Sequence, residues 1–398
     1  MSTFDQPTAT DSFTKEKEKF MDIQLGHITE FIPSFDHTLR LSDAVNYLEE
    51  HRDISGIAVE ESGKVIGVLG RDTALKKYKS RLERLKDQSI KHSIQNDSIN
   101  ADAADFCEKI FYDIIRIEDR VINQLIIKEG PDFFGIIPIN HLIRHVSKIR
   151  ELAYAQAHDI QQFFLEKSGK RFNGLAISNY IKMAHQIGGD FYYLCEIAEG
   201  KYLISCFDVA SKNIAASLTT GLLSSFYSMY FRYHKKEFNP RHLITELNKI
   251  IEEQTPSDIF VVAVFLYFDM EKNHVSVFNH GFPPIYLCLP HEGKPLSILT
   301  LDSEMMPLGI TDTVDFEKKV KRVGLKPRMK FFVYSDGLLD AVNMFGQRYG
   351  EKRIKLFVNE HLAKKPAQVM DTLLKQYEIF SEKAVQIDDL TAIVIEIQ

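Results

Sequence analysis

Ile187-Gly188-Gly189-Asp190-Phe191-Tyr192-Tyr193 is the stretch of this 398-residue sequence that says most about its fold. Two glycines allow the backbone to turn tightly at a place where a side chain would clash. An aspartate follows them directly, and then come three aromatic residues that suit a half-buried strand. The stretch therefore predicts a carboxylate held at the mouth of a β-sheet, although Gly-Gly-Asp is also common in ordinary turns.

Three later aspartates lie, like Asp190, beside an apolar run of strand type: Asp208, Asp336 and Asp388. Each acid taken singly is most simply a turn or strand-end residue. That explanation is weaker for all four acids together, because it requires four independent coincidences. A cluster of carboxylates stays ionised only where cations offset the mutual repulsion, so we expect these four side chains to share a cation site.

The residue types in this predicted site indicate which cations it would bind. Sites made only of oxygen ligands select hard ions, which predicts Mn²⁺ or Mg²⁺. No spacing of histidine or cysteine in the sequence suggests zinc. Two divalent ions held close together can activate a water for attack on phosphorus. The pattern thus predicts a hydrolase that needs no protein nucleophile.

Composition sets further limits. The length allows two or three domains, and 44% hydrophobic with 26% charged residues fits a globular protein. A net charge of -6 gives no electrostatic case for nucleic acid binding. There is no signal peptide and no apolar run long enough to span a bilayer, so we expect no membrane contact. The cysteines are expected to be reduced core residues of a cytoplasmic protein: Cys107, Cys195, Cys206 and Cys288.

The N-terminal part of the chain is predicted to form a separate unit. Residues 1–20 are polar and are expected to be disordered. Residues 21–148 are predicted to fold in the order helix, strand, turn, strand, helix, and then to repeat this pattern. Ser42 is a candidate N-cap for the first helix. The polar residues 87–101 are expected to be a linker or loop between the two copies.

An internal repeat supports this interpretation, because residues 65–72 are echoed by residues 133–140 and a predicted helix follows each. The order of elements resembles the CBS module, a small paired domain that often senses adenine nucleotides. The resemblance implies a sensor domain with an adenine nucleotide as its ligand. Both copies lack the hydroxyl residue that CBS nucleotide sites usually carry, and an interaction domain of mixed α/β type is the alternative.

Residues 149–170 are predicted to be helical, with apolar residues along one stripe. They form either the first helix of the next domain or a signalling linker that pairs with its copy in a dimer. Residues 171–398 contain many strands, with helices in two sequence blocks. This pattern predicts a sandwich of two sheets covered by helices on both outer faces.

Several elements of this second region are predicted individually. Asn239-Pro240 is typical of an N-cap followed by proline at the first helical position. A helix is predicted over residues 214–234, a strand over residues 316–320, and a helix over residues 338–344.

The acidic stretches together resemble the ordered motifs of the SpoIIE-type phosphatases, which are bacterial members of the PPM class of metal-dependent protein serine/threonine phosphatases. The resemblance covers roughly the last three-fifths of the chain, in order and spacing. The stretches that carry it are residues 188–192, 207–209, 279–284, 307–309, 334–341 and 388–391, with residues 151–162 resembling the helix that commonly precedes the domain.

The resemblance implies an α-β-β-α sandwich that hydrolyses phosphoserine or phosphothreonine with two metal ions, Mn²⁺ or Mg²⁺. Asp208 is expected to bridge both ions. Asp190 and the carbonyl of Val209 would hold one ion, and Asp336 and Asp388 would hold the other.

Other positions are assigned by the same resemblance. Asp389 is expected to orient its neighbour Asp388, and Asp340 to be a helix-face residue. The implied substrate is a phosphorylated protein, namely an anti-sigma-factor antagonist, and the implied assembly is a homodimer.

The sequence also departs from the family pattern. Where members usually continue Asp-Val-Ser-Gly-Lys-Gly, this chain has Asp208-Val209-Ala210-Ser211-Lys212-Asn213. Without the two glycines, the loop would need Asn213 in a left-handed conformation to present its amides. Lys212 either faces the phosphate or is an ordinary exposed lysine. Tyr193 stands where aspartate is common, and Phe282 where histidine is common.

Two functions remain open from these observations. The first is an active phosphatase that the front unit regulates. The second is a degenerate phosphatase that serves as a nucleotide-sensing or partner-binding scaffold, which the altered loop at residues 209–213 and the repeat in the front unit would favour.

Overall fold

The computed structural model describes residues 23–80, 86–94, 98–117, 121–166, 172–289, 297–317 and 319–398. The predicted disordered tail at residues 1–20 and the last part of the predicted linker, residues 167–170, lie outside the described residues. The chain divides into two units, Met1–Ala153 and Tyr154–Gln398. No helix in the described ranges is both long and apolar enough to cross a bilayer.

The first unit contains two halves of the same topology. The first half consists of β1 (Ser34–Asp36), α1 (Leu41–Glu50), β2 (Gly56–Glu61), β3 (Lys64–Gly70) and α2 (Arg71–Lys79). The second half consists of β4 (Ser98–Asp102), α3 (Cys107–Ile115), β5 (Gln124–Glu129), β6 (Asp132–Pro138) and α4 (Ile139–Glu166). In each half the first strand runs parallel to the second, and the second pairs antiparallel with the third. The two echoed stretches of sequence are thus the third strands of the two halves and the first residues of the helices that follow.

The halves also share an irregularity at equivalent positions. The pairing register shifts by one residue after Val59 of β2 and after Ile127 of β5, which leaves Ile66 of β3 and Phe134 of β6 without a partner in the ladder. A glycine pairs with Val59 and with Ile127, Gly67 in β3 and Gly135 in β6 respectively. A Cβ on Gly135 would lie 2.4 Å from the carbonyl oxygen of Glu30, so this position requires glycine because another stretch of backbone passes too close for a side chain.

The segment before each half packs on the other half. Leu25, which precedes the first half, is buried in the core of the second, and Ile90, which lies between the halves, is buried in the core of the first. The expectation that residues 87–101 form a linker or loop is therefore wrong for residues 98–101, which belong to β4. Ile90–Ser93 form a 3-10 turn and Ser98 begins β4, because a few isoleucines in a polar stretch are enough to anchor it.

Helix α1 does not use its predicted cap. Its N-cap residue is Arg40, which makes no side-chain capping bond. The hydroxyl of Ser42 instead donates a hydrogen bond to Asp87, at 3.0 Å. The hydroxyl of Ser42, which the local sequence predicted to cap the helix, is thus bonded to Asp87 instead.

Helix α4 continues without a break for 28 residues, from Ile139 to Glu166. The predicted helix after the second copy of the repeat and the predicted helical segment from residue 149 are thus one continuous helix. The residues up to Ala153 belong to the first unit, and those from Tyr154 belong to the second.

The strands of the second unit are β7 (Leu175–Lys182), β8 (Phe191–Ala198), β9 (Lys201–Val209), β10 (Val261–Asp269), β11 (His274–His280), β12 (Ile285–Leu289), β13 (Ser297–Leu301), β14 (Lys321–Gly324), β15 (Lys330–Tyr334) and β16 (Leu390–Ile397). They form two five-stranded sheets with the orders β14-β11-β10-β9-β8 and β13-β12-β15-β16-β7. Every neighbouring pair is antiparallel.

The helices of the second unit are the last part of α4, then α5 (Asn213–His234), α6 (Pro240–Gln254), α7 (Asp336–Asp340), α8 (Gly350–His361) and α9 (Pro366–Phe380). Helix α5 packs on β8 and β9, and α9 packs on β7 and β16. One hydrophobic core contains residues of both sheets and of α5 and α6. A second core lies between the sheet β13-β12-β15-β16-β7 and helices α8 and α9. The predicted sandwich with helices on both outer faces is confirmed.

Some individual elements differ from the prediction. The cap of α6 is as expected, since Asn239 accepts a hydrogen bond from the backbone N–H of Arg241 at 3.0 Å. The strand predicted at residues 316–320 is wrong, because Phe316 and Val320 pack against the core without pairing and the next residues form β14. The helix predicted at residues 338–344 is shorter and ends at Asp340.

Candidate active site

Strand register in the first sheet brings two of the predicted acids together. Phe191 at the start of β8 pairs with Phe207 near the end of β9. Because the strands are antiparallel, the next positions outward are Asp190 and Asp208, so these two residues lie side by side. Asp208 is also paired with Val262 of β10.

The second sheet contributes two more acids in the same way. Tyr334 in β15 pairs with Ala392 in β16, so the end of one strand lies beside the start of the other. Only Ser335 separates β15 from Asp336, which is the first residue of α7, and Asp388 lies just before β16.

The acids from both sheets meet at one cleft of about 620 Å³. Asp208, Asp336 and Asp388 line this cleft. Asp190 is 1% exposed, and its Oδ2 accepts a hydrogen bond from the hydroxyl of Thr391 at 2.6 Å. The structure therefore brings together the four aspartates that sequence analysis selected.

Burial and mutual repulsion raise the pKa values of these carboxyl groups. Burial, followed by repulsion from Asp190 and Asp336, raises the pKa of Asp208 to about 9. Burial also raises the pKa of Asp190 to about 8, and burial and the charge of Asp388 raise that of Asp336. Near neutral pH, some of these groups therefore keep a proton unless a cation offsets the repulsion.

The cleft fits a hard divalent cation by its chemistry, because the groups it offers are carboxylate and carbonyl oxygens. In the ranges that the structure describes, no group of three or more His, Cys, Asp or Glu side chains is arranged to hold a metal ion. Mg²⁺ usually keeps several waters and is bound through only one or two carboxylates at a time. The candidate ligands are the four aspartates and the carbonyl of Val209, which also lines the cleft.

Asp389 has a larger part in the site than the sequence suggested. Its backbone N–H donates to Asp388 Oδ1 at 2.9 Å, which holds the neighbouring acid. Its carboxylate accepts hydrogen bonds from the backbone N–H groups of Ala184, at 2.7 Å, and Gly189, at 2.6 Å. Asp389 thus ties the loop that carries Asp190 to the strand that follows Asp388.

Two glycines make room for Asp389. A Cβ on Gly188 would lie 2.0 Å from Asp389 Oδ2, and a Cβ on Gly337 would lie 1.8 Å from its carbonyl oxygen. Neither glycine has a positive φ. They are required because Asp389 approaches closely, and not because of an unusual turn conformation.

Sequence analysis missed a second residue that positions the loop. Gln161 of α4 is 3% exposed. Its side-chain amide donates to the carbonyl of Gly188 at 2.7 Å and accepts from the N–H of the same residue at 3.1 Å. The amide also donates to the hydroxyl of Thr220 in α5 at 3.0 Å. Its only signal in the sequence was a neutral polar residue in an amphipathic helix.

The loop that lacks the family glycines is short and anchored. Ala210 N–H donates to the carbonyl of Phe260 at 2.9 Å, and Ser211 N–H to that of Val209 at 2.6 Å. Asn213 is the first residue of α5, so the expectation of a left-handed Asn213 is wrong.

The other departures from the family pattern have structural explanations. Tyr193 stacks on Phe231 of α5, with ring centroids 5.9 Å apart, so it is a packing residue of the helix–sheet contact. Phe282 is buried and contributes to the apolar wall of the cleft. Asp340 accepts a hydrogen bond from Arg348 at 2.9 Å, in keeping with a residue on the exposed side of α7.

The fold and this acidic cleft define a class. The second unit has the fold of the PP2C-type serine/threonine phosphatases, as comparison with the SiaA-PP2C domain of Pseudomonas aeruginosa shows. The TM-score is 0.54 at 17% sequence identity, and the match covers 64% of this chain and 99% of that domain.

A sequence profile of Stage II sporulation protein E (SpoIIE) matches residues 198–398, slightly more than half of the chain. The chain therefore belongs to the SpoIIE family. It is 22% identical over 168 residues to phosphoserine phosphatase RsbP of Bacillus subtilis (strain 168), which is 41% of this chain and 40% of RsbP. The chain thus spans about two fifths of the length of that curated relative. The PP2C domain of SpoIIE from Bacillus subtilis, solved with a fragment of its regulatory domain, is 17% identical with a TM-score of 0.44, covering 57% of this chain and 64% of that one.

The raised pKa values predict how the stability of the metal-free protein depends on pH. The unfolded chain loses these protons near the ordinary value of 3.8, whereas the folded Asp190 and Asp208 keep theirs up to about 8 and about 9. Their contribution to stability is complete at acid pH and is lost as the pH rises through this window. In chelator, the unfolding temperature should therefore fall between about pH 5 and pH 9, and excess Mn²⁺ should raise it more at the alkaline end.

The variant Asp208→Asn should show a shallower pH dependence and a smaller shift with Mn²⁺, because one of the repelling carboxyl groups is gone. An unfolding temperature that responds to Mn²⁺ equally at every pH would contradict the assigned role of the cluster.

Proposed function

We propose that this protein is a metal-dependent protein serine/threonine phosphatase that hydrolyses phosphoserine or phosphothreonine. Asp190, Asp208, Asp336, Asp388 and the carbonyl of Val209 would hold two ions, Mn²⁺ or Mg²⁺. The observation that carries the proposal is the convergence of acids from both sheets on one cleft, where Asp208 of the first sheet meets Asp336 and Asp388 at the end of the second.

Two such ions supply positive charge for the phosphate and lower the pKa of a nucleophilic water when they are bound. In the hydrolysis, the water oxygen forms a bond to phosphorus and the bond from phosphorus to the serine or threonine oxygen breaks. A water proton passes to the leaving oxygen, so the products are a free hydroxyl and inorganic phosphate. Asp389 and Gln161 hold the loop of Asp190 in place for this chemistry, and Phe260 and Phe282 give the cleft an apolar wall.

The test of the proposal is release of inorganic phosphate from a phosphoserine peptide by the full-length chain. We expect release that depends on Mn²⁺ or Mg²⁺ and stops when a chelator is added. An absence of turnover with both metals would refute the proposal.

The proposed substrate is a phosphorylated protein in bacterial partner-switching signalling, namely an anti-sigma-factor antagonist, as the family resemblance implies. RsbP, which matches this chain over 168 residues, is named a phosphoserine phosphatase. We further propose that the protein acts in the cytoplasm as a homodimer. None of the four cysteines forms a disulfide, which favours a reducing compartment.

Regulation by the first unit is proposed to pass through α4. This helix runs unbroken from Ile139 to Glu166, and its residue Gln161 holds both the loop before Asp190 and Thr220 of α5. A shift of α4 would therefore change the position of Asp190. Such a link is a physical route by which two sites can be coupled.

Comparison of the full-length chain with a fragment that begins at residue 151 tests this route. We expect phosphate-release rates that differ by about 5-fold or more, a typical size for coupling between sites. In the full-length chain, Gln161→Ala should lower the rate, whereas Gln162→Ala, which changes the next residue of the same helix, should not. Equal rates for the fragment and the full-length chain would contradict regulation by the first unit.

A scaffold that senses a nucleotide is the second candidate, and a cleft of about 850 Å³ within the first unit favours it. The cleft is lined by the first residues of α2 and α4 and by Lys76 and Lys77. Helix N-termini and lysines attract anions such as phosphate groups. Gln124 also lines the cleft and is 6% exposed, and its Nε2 has no hydrogen-bond partner within the described residues.

Calorimetric titration with ATP, AMP and Mn²⁺ separates the two candidates. Tight binding of a nucleotide without any phosphatase turnover would favour the scaffold. Binding together with turnover would favour a phosphatase whose first unit senses an adenine nucleotide, and no binding of either nucleotide would remove the sensing function.

A further inference from the structure

The loop between β9 and α5 places one lysine at the edge of the acidic cleft. Only Ala210, Ser211 and Lys212 separate the end of β9 from the start of α5. Hydrogen bonds from Ala210 and Ser211 to the backbone anchor the loop. Lys212 is the N-cap residue of the 22-residue helix α5, and its side chain makes no capping bond.

The charges around the cleft are very unequal. Four of its lining residues are acids, namely Asp208, Asp336, Asp388 and Asp389. Among the described residues that line it, Lys212 is the only one with a basic side chain. A phosphomonoester carries negative charge on several oxygens, and the acids of the cleft are negatively charged as well. The substrate therefore needs positively charged groups in the cleft. Lys212 is the group on this chain that can supply such a charge from the cleft wall.

Lys212 forms only a weak ion pair with Asp388. Its Nζ lies 3.8 Å from Asp388 Oδ2, and the side chains of the two residues are 68% and 38% exposed. An exposed ion pair at this distance contributes little, because water screens the charges and both side chains lose freedom in forming it. The ammonium group is therefore free to leave Asp388 for a stronger partner.

The start of α5 provides further donors beside this lysine. The first N–H groups of a helix have no partner within the helix, and the helix dipole favours a negative charge there. Ser211 and Lys212, immediately before α5, line the same cleft as the acids. The ammonium group and the helix terminus thus offer positive charge to one ligand.

We propose that Lys212 binds the phosphoryl oxygens of the substrate, leaving Asp388 when the phosphomonoester enters. This inference rests on the proposed phosphatase function and adds a substrate-binding residue to it. The role of Lys212 is to bind the phosphate dianion and not to hold the cations.

A purely structural role makes a different prediction. If Lys212 served only to neutralise Asp388, removing it would change the Mn²⁺ concentration needed for activity and leave the affinity for the phosphopeptide unchanged. If Lys212 binds the phosphoryl group, the affinity for the phosphopeptide and for inorganic phosphate changes instead. The two roles are therefore separable by measurement.

The experiment compares wild type, Lys212→Ala, Lys212→Arg and Lys236→Ala, all as the full-length chain with saturating Mn²⁺. Lys236 is an exposed lysine outside the cleft and serves as the matched control. We expect Lys212→Ala to raise the KM for a phosphoserine peptide and the Ki for inorganic phosphate about tenfold, as loss of one charged hydrogen bond does. The Mn²⁺ activation constant should be unchanged, Lys212→Arg should stay within about 3-fold of wild type since it keeps the charge, and Lys236→Ala should have no effect.

An unchanged KM and Ki in Lys212→Ala would overturn the inference while leaving the phosphatase function in place. A change confined to the Mn²⁺ activation constant would also overturn it. If wild type releases no phosphate, the proposed function fails, and calorimetric binding of inorganic phosphate to the Mn²⁺-loaded protein still tests the lysine. Equal binding by wild type and Lys212→Ala would then refute it, and weaker binding by the variant would support it.

Discussion

Replacing Asp208 by asparagine is expected to lower kcat/KM for a phosphoserine peptide by about 10³-fold or more, since the proposed site works through cations that this carboxylate holds. Repulsion from the charges of Asp190, Asp336 and Asp388 acts on Asp208. Asparagine keeps the shape of the side chain and removes its charge. The loss should therefore come from weaker cation binding and not from misfolding.

The measurement is phosphate release over a range of Mn²⁺ concentrations, with the unfolding temperature as a check on the fold. Asp340→Asn is the matched control, because Asp340 lies in α7 close to the cleft but pairs with Arg348. It should keep its rate within about 3-fold, as surface substitutions usually have small effects. An Asp208→Asn protein that turns over at the wild-type rate would show that the acidic cleft is not the reaction site.

Replacing Gly188 by alanine is expected to have the second largest effect. The new Cβ would lie 2.0 Å from Asp389 Oδ2 and 2.4 Å from the sulfur of Met183. Asp389 would have to move and would lose the hydrogen bonds that it accepts from Ala184 and Gly189. We expect the free energy of unfolding to fall by about 2–4 kcal/mol, combining overpacking with lost buried hydrogen bonds. Phosphate release should fall about 100-fold, because Asp190 follows the displaced backbone.

A second glycine-to-alanine change separates this effect from a general intolerance of alanine. Gly221 lies inside α5, where a Cβ would make an ordinary contact 3.6 Å from Phe164 Cε2. Gly221→Ala should leave activity intact and stabilise the protein by up to about 1 kcal/mol, since alanine favours a helix over glycine. Urea unfolding and phosphate release measured on both variants check the prediction. A Gly188→Ala protein as active as wild type would contradict the assigned close packing around Asp389.

The acids could be identified from the sequence because their signal is local. Each follows or precedes an apolar run of strand length, and such runs keep their character whatever they pair with. Antiparallel pairing then brings the acid near the end of β9 beside the acid before β8, because the two strands form a hairpin with register Phe191 to Phe207. The prediction that the acids of both sheets meet at one site depended on the resemblance to the family motifs as well as on the strand pattern.

The residues that hold the acids in place could not be identified in this way. Gln161 lies 27 residues before Gly188 along the chain, and Asp389 lies 200 residues after Gly189. Nothing in the local composition of α4 marks Gln161 as a partner of that loop. For the same reason the polar stretch at residues 87–101 was predicted to be a linker or loop, although residues 98–101 belong to β4 and Ile90 is buried in the core of the first half of the front unit.

The sequence by itself determined the two-sheet architecture of the second unit, the duplicated pattern in the first, and the four aspartates of the cleft. These features depend on periodic burial and on the chemistry of single residues, which are written into short segments. Only the tertiary structure decided that Gly188 and Gly337 make room for Asp389, that Gln161 holds the loop of Asp190, and that Lys212 is the basic group facing the acids. Those roles depend on distances between segments far apart in the chain, and a linear pattern contains no such distances.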